Sequence, residues 1–505
     1  MVSTTLLDAL KRYFGFDQFR EGQEAVIRDV MDGKDVLGIL PTGTGKSLCY
    51  QLPARLLHGT TIVVSPLISL MVDQVKQLKA AGYKSVTALN SFMDVQEKKQ
   101  VMQNLERYDL IYISPEMLQN DRLQEELCRM TIPLFVIDEA HCISQWGHEF
   151  RTDYLKLHRI IDAIGSPTVL ALSATATPEV QADIMEKLHR PAMNRHIYPM
   201  DKQNISLSVE EVHSPEEKTA RIVDLLSHIH APTMIYFSSR QWAERVSVVL
   251  REKLSHRTAF YHGGMEQTDR MLVQQQFMNG QLDVICCTSA FGMGVDKKDI
   301  RLVIHFHLPS QTESFIQEIG RAGRDGKPSA SLVLFTKKDH YLPQMLIQSE
   351  LPEREQLDIA LGYLKRLEGQ KIPEDESIME QLQLSESQWN FIKYQSEESG
   401  VLIDGMVQPF PFDFESRIHA LLRERWTYKQ GKLTEMMTWI HHTGCRREAL
   451  YSSFQDHIRP PDVPCCDVCG FSVDHLTLHG LKETPQAGSW KERLQMIFHQ
   501  GHPHA

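Results

Sequence analysis

Along the first 340 residues, short apolar runs rich in β-branched residues recur between longer stretches whose apolar positions fall at helical spacing. The runs are Val36 to Leu40, Thr61 to Ser65, Leu110 to Ser114, Leu134 to Ile137 and Thr168 to Leu172. Such alternation predicts βαβ units wound around a parallel sheet. A break from Pro191 to Asn204 separates these from a second series at Thr233 to Phe237, Asp283 to Cys287, Leu302 to Phe306 and Ser331 to Phe335. The pattern therefore predicts an α/β protein with two such domains in tandem, at 1–200 and 201–342.

Beyond residue 343 the strand signal fades and helical spacing takes over, with an acidic break at GQKIPEDES (Gly369 to Ser377). Apolar residues at Ile378, Met379, Leu382 and Leu384, a Ser385 cap, then Trp389, Ile392 and Gly400 predict a helix-turn-helix or winged-helix core. This gives an acidic module over 343–410. A more basic helical segment over 411–475 and a tail over 476–505 complete the division. A tail helix around Trp490, Leu494 and Ile497 is expected to pack on the body.

Composition adds one puzzle. With 54 Lys and Arg against 65 Asp and Glu in 505 residues, the net charge of −11 argues at first sight against a polyanionic partner. Residues 350–410, however, hold thirteen acids against five bases, a net of −8, which leaves −3 for the other 444 residues. The charge therefore describes one segment. Its would-be reading helix carries Glu386, Glu397 and Glu398 against Lys393, which argues against major-groove reading and for a spacer or a protein-binding module. No apolar run approaches membrane length, and the N-terminus lacks a signal-peptide core, so an intracellular, cytoplasmic protein is expected.

Candidate chemistry begins after the first run, at Thr42, Gly43, Thr44, Gly45, Lys46 and Ser47. The glycines let the backbone curl so that its amides face phosphate oxygens, and a following helix adds its positive dipole end. Lys46 would reach the β and γ phosphates, and Ser47 would ligate Mg²⁺. Leu40 stands where the full phosphate-loop pattern has its first glycine. LFVIDEAH supplies the partner: Asp138 for the metal and Glu139 as general base toward water.

Together, TGTGKS, DEAH and SATAT (Ser173 to Thr177) resemble the first motor domain of a superfamily-two helicase. FGFDQFREGQ (Phe14 to Gln23), SQWGHEFRTDY (Ser144 to Tyr154), TSAFGMGVDKKDIR (Thr288 to Arg301) and QEIGRAGRDG (Gln317 to Gly326) narrow the resemblance to the RecQ family of ATP-dependent DNA helicases, nearest its short bacterial forms. The resemblance implies two RecA-like lobes with ATP between them. It also implies adenine recognition by Phe14, Arg20 and Gln23, an arginine finger at Arg324 partnered by Arg321, and Asp296 near the ribose. The two arginines, three apart, are expected to share one helix face turned across the cleft.

Nucleic acid is expected across the tops of both lobes, at Ser65, Pro66 and Leu67, at Ser114, Pro115 and Glu116, at Tyr261 with His262 to Gly264, and at Thr288. Trp146, Phe150 and Arg151, set among polar neighbours, are expected to stack on a base and report strand occupancy to Glu139. From Arg423 to Arg447, six bases against two acids interleave with Trp426, Tyr428 and Trp439. This stretch resembles the helical hairpin of the family's zinc module, with Arg423, Trp426, Lys429 and Lys432 toward the DNA backbone.

Five of the nine cysteines (49, 128, 142, 286 and 287) are scattered and expected in the core, whereas Cys445, Cys465, Cys466 and Cys469 fall within 25 residues. Four thiolates suit a structural, tetrahedral Zn²⁺. The family pattern CxxCxxC is not met, since Val463 holds its first position, so Cys465 substitutes, with His457 the alternate ligand.

The reading is thus an ATP- and Mg²⁺-dependent helicase on single-stranded and tailed or forked DNA, with 3′ to 5′ polarity implied by the resemblance. A monomer free of membranes is expected, with a protein partner at 350–410. An RNA-remodelling ATPase and a DNA-binding scaffold with weak ATPase stand as alternatives. About 35 residues follow the cysteines, where RecQ relatives place their winged helix, so the small C-terminal DNA-binding domain that many relatives carry is not expected there.

Overall fold

The computed structural model describes residues 5–91, 93–144, 152–291, 297–455 and 457–476. In it β1 (Val36–Ile39), β2 (Thr61–Val64), β3 (Val86–Leu89), β4 (Leu110–Ile113), β5 (Leu134–Ile137), β6 (Thr168–Ser173) and β7 (Asn194–Ile197) form one parallel sheet in the order β3-β4-β2-β5-β6-β1-β7. β1, β2, β4 and β5 are buried at every residue, because helices cover both faces and leave no position for a polar alternation. A second parallel sheet follows from β8 (Ile205–Glu211), β9 (Thr233–Tyr236), β10 (Thr258–Tyr261), β11 (Val284–Cys287), β12 (Leu302–His305) and β13 (Ser329–Phe335), in the order β10-β11-β9-β12-β13-β8.

Both expected α/β lobes are present. The apolar runs missed β3, β7, β8 and β10. Of these β7 is mostly exposed and polar, Asn-Arg-His-Ile, and is held at the sheet edge by its register on β1. It lies inside the stretch read as a break.

After lobe 2 come helices Tyr341–Glu350 and Arg354–Arg366, then helices Asp375–Leu382 and Glu386–Glu398 and a two-stranded hairpin, Leu402–Ile403 with Met406–Val407. Ser385 caps the second helix of the pair reciprocally with Gln388, and Asp404 and Gly405 take positive φ in the hairpin turn. The segment is thus a small helical module closed by a hairpin. Trp389, Ile392, Val401 and Val407 share its core with Phe414, Ile418 and Leu422 of the next helix.

That next helix runs unbroken from Phe414 to Ile440. Its first half closes the module's core, and its last turn, with Met436, Trp439 and Ile440, joins the core shared by the two lobes and the cysteine segment. A short helix, Arg446–Tyr451, follows. Cys128, expected in the core, is exposed. Among the described residues no helix is long and apolar enough to cross a membrane. The tail helix expected around Trp490, Leu494 and Ile497 lies outside the described residues.

Candidate functional site

Register places the site. Ile39 of β1 pairs with Ser173 of β6, and Ile137 of β5 pairs with Ala171, so the carboxyl ends of the three central strands stand level. The phosphate-type loop, Asp138 and Ser173 therefore emerge side by side, where open α/β sheets bind ligands.

The loop curls as the sequence requires. Gly43 and Gly45 take φ of 91° and 78°, in the left-handed region that favours glycine. Among the described residues no carbonyl accepts from the amides of Gly43, Gly45, Lys46 or Ser47. Such a nest of inward amides suits an anion. Ser47 begins the helix Leu48–Leu56. Lys46 Nζ lies 3.5 Å from the Leu40 carbonyl, folded back over the loop.

Asp138 is buried at the end of β5, and burial, reinforced by the neighbouring Glu139, pushes its carboxyl up to about 7, while Lys46 pulls the other way. A carboxylate so poor in compensating charge fits a divalent cation beside Ser47. Glu139 takes a left-handed φ of 50°, a strained state for a non-glycine residue, and its Oε2 is buried 3.4 Å from His141 Nδ1. The same His141 nitrogen lies 3.0 Å from Ser173 Oγ, which ties DEAH to SATAT. Tyr154 donates its hydroxyl to the Asp138 carbonyl at 3.1 Å. Neither link was foreseen, although both motifs sit at ends of neighbouring strands.

Gln23 is buried, and its side-chain amide donates to the Thr44 and Gly45 carbonyls at 2.8 and 3.0 Å while its Oε1 accepts from the Arg20 amide. Arg20 donates to the Gly43 carbonyl at 2.7 Å. These two residues thus brace the phosphate loop. Phe14 ends the helix Leu6–Phe14 and packs half-buried on the lobe 1 core.

Lobe 2 reaches this loop directly. A Cβ on Gly43 would stand 3.1 Å from Arg324 Cγ, and one on Gly320 would stand 3.2 Å from Thr42 Cβ. Arg324 therefore lies against the phosphate loop. The expectation that Arg321 and Arg324 share a helix face is corrected: the helix Thr312–Ile319 stops short of both, and they lie on a turn in which Gly323 takes a φ of 57°. Arg321 points back into lobe 2, buried, with a hydrogen bond to Tyr236.

Ser65, Pro66 and Ser114 sit buried at the ends of β2 and β4, with the Ser65 hydroxyl lacking a protein partner among the described residues. Thr288 donates its amide to the Tyr261 carbonyl at 3.1 Å and lines a cavity of about 340 Å³ with Ser238, Ser289, Ser310 and Ser314. The Tyr261 ring is itself core, 4.6 Å from Phe291, so only its backbone faces that surface. Trp146, Phe150, Arg151 and Asp296 lie outside the described residues.

The free cationic face expected on the long helix is corrected. Lys432 is buried between Glu313 at 2.8 Å and Glu435 at 3.1 Å, Lys429 pairs with Glu350, and the Trp426 indole donates to the Pro352 carbonyl. Arg425, Arg446 and Arg447 are buried too. Of the residues assigned to DNA there, Arg423 is the exposed one.

The sulfurs of Cys445, Cys465, Cys466 and Cys469 all lie within 4.8 Å of one another, and His457 is not among them. Burial and the adjacent Cys445 push the Cys465 thiol up to about 11. Cys469 is raised as well, by its hydrogen bond with Cys466, whereas Cys466, in spite of its burial, is lowered by the backbone amides of Arg446 and Cys469. A bound cation would favour the thiolate at all four positions.

The chain matches the family description "DEAD/DEAH box helicase" over residues 20–184 and "Helicase conserved C-terminal domain" over 217–326. Two-lobed folds of this class include Mss116p bound to ssRNA and AMP-PNP (TM-score 0.57, 16% identity, 84% of this chain and 94% of that one). Another is Mycobacterium smegmatis helicase Lhr bound to ssDNA and AMP-PNP (0.56, 21%, 81% and 61%). The protein is thus built as a superfamily-two helicase. It is 41% identical over 498 residues, 98% of each chain, to the probable ATP-dependent DNA helicase RecS of Bacillus subtilis. It is 40% identical to the ATP-dependent DNA helicase RecQ of Haemophilus influenzae, over 70% of this chain but 57% of that one. The chain belongs to the RecQ family of helicases, in its short, RecS-like form.

Proposed function

We propose that the protein is an ATP-dependent DNA helicase, moving 3′ to 5′ along single-stranded DNA in repair, recombination or fork processing in the cytoplasm. The observation that carries this reading is the meeting of two lobes at one loop: Arg324 of lobe 2 lies against Gly43 of lobe 1, beside Asp138 and Glu139. A site split between lobes couples nucleotide state to their separation, which is what a translocating motor requires.

In this account the loop amides and Lys46 hold the phosphates, and Phe14, Arg20 and Gln23 support the adenine side. Mg²⁺, held by Ser47 and Asp138, would neutralise charge between the phosphates. Glu139 takes the proton of the attacking water, its carboxylate turned by the strained backbone and restrained by His141. Arg324 stabilises charge developing on the γ-phosphoryl group, and Arg321, anchored at Tyr236, steadies the turn that carries it. Asp296 serves the ribose. DNA crosses the strand ends at Ser65, Ser114 and Thr288, with Trp146, Phe150 and Arg151 reporting its presence. Zn²⁺ on Cys445, Cys465, Cys466 and Cys469 would be structural, since four protein ligands leave no open position.

Strand displacement and ATP turnover on 3′-tailed DNA, 5′-tailed DNA and RNA test this reading, with Lys46→Ala as the inactive control. Displacement restricted to the 3′-tailed DNA supports it. Equal stimulation by RNA would favour an RNA-remodelling ATPase, and stimulation without displacement a DNA-bound scaffold.

A further inference from the structure

The hinge between the lobes carries a second cation to the nucleotide site. Lys202 lies between β7 and β8, and its Nζ donates to the Gly320 carbonyl at 2.6 Å and the Ala322 carbonyl at 3.2 Å. Those carbonyls belong to the turn that ends the helix Thr312–Ile319 and bears Arg324, at the negative end of the helix dipole. The same Nζ would stand 3.5 Å from a Cβ on Gly43. One ammonium therefore touches the arginine turn and lies over the phosphate loop.

A second hinge residue grips the same turn. Asn204 Nδ2 donates to the Gly323 and Lys327 carbonyls, both at 2.8 Å, and approaches so closely that a Cβ on Gly323 would stand 2.3 Å from it. The hinge in turn is clasped from outside by the cysteine segment. Buried Arg447 donates to the Lys202 carbonyl at 2.9 Å and to the Ile205 carbonyl. Gln203 donates to the Pro460 carbonyl, and Leu207 donates its amide to the Cys465 carbonyl.

We propose that Lys202 is a positioning residue for ATP hydrolysis: it holds the Arg324 turn over the phosphate loop, from a place fixed by the cysteine module. The inference rests on the ATPase reading above and adds to it a residue outside the recognised motifs. Because Lys202 acts through Arg324, removing it should slow turnover without loosening nucleotide, and should cost nothing further once Arg324 is gone.

The experiment measures DNA-stimulated turnover, mant-ADP affinity and melting temperature for wild type, Lys202→Met, Lys202→Arg, Arg324→Ala and Lys202→Met/Arg324→Ala. The expected result is a fall in kcat of about tenfold or more for Lys202→Met, with KM and mant-ADP affinity within about twofold. Melting should be unmoved, Lys202→Arg should recover part of the rate, and the double variant should match Arg324→Ala. Unchanged kcat in Lys202→Met, lost mant-ADP affinity with kcat retained, or additive losses in the double variant would overturn the proposal. A wild-type chain without ATP turnover would instead overturn the ATPase reading itself.

Discussion

The nucleotide cleft and the acidic module both draw on contacts with lobe 1, yet they are held in opposite ways. In the cleft, groups a few residues apart act together: two glycines with positive φ shape one loop, and Asp138 and Glu139 share one strand end. In the module, the helix Glu386–Glu398, the would-be DNA reader, is turned to lobe 1, where Glu397 meets Lys156 and Glu398 meets Arg159, each at 2.9 Å. Asp375 takes Lys393 at 2.7 Å and the Trp389 indole at 2.8 Å. The excess of acid is thus partly matched inside the chain. Short-range geometry is carried by sequence spacing, whereas a docking face is decided by which distant charges it meets.

The largest effect expected outside the cleft is at the cysteine module. Cys466→Ser should lose the bound metal and destabilise the fold by about 3 kcal/mol or more, read by metal content and melting. Metal content equal to wild type would break the assignment of the cluster.

Next comes a pH effect in lobe 2. Burial, with Lys218 nearby, lowers His307 to about 4 from an ordinary 6.5, and its Nδ1 accepts from the Ser238 amide at 3.2 Å. The unfolded chain takes the proton first, so stability should fall as pH drops from 6.5 toward about 4, by about 2 kcal/mol at pH 5. His307→Gln should flatten that share of the profile, and an unaltered profile would contradict it.

The smallest effect separates the two regions most finely. The Glu397–Lys156 and Glu398–Arg159 pairs are partly exposed, so a double-mutant cycle between Glu397→Gln and Lys156→Gln should return about 0.2–1 kcal/mol of coupling, shrinking with salt. Zero coupling at low salt would mean that apolar packing alone docks the helix.

What the sequence made legible follows the same division. Buried parallel strands, the phosphate loop, DEAH and the capped helix pair all rest on local spacing. The exposed strand β7 was hidden because what holds it lies far away in sequence: its pairing with β1 and the bonds of Asn194 and His196 to Asp29. The basic stretch on the long helix misled because its acidic partners Glu313 and Glu350 lie some eighty or more residues earlier. Lys202 gave no signal at all, being a lone lysine in a linker whose contacts come from lobe 2.

The central claim is that the two lobes form one hydrolytic site through Arg324. Single-turnover ATP hydrolysis on saturating single-stranded DNA, by wild type and by Arg324→Ala, tests it most directly. Arg324→Ala is expected to lose about 10³-fold in rate with nucleotide binding retained. Hydrolysis by Arg324→Ala at the wild-type rate would contradict it.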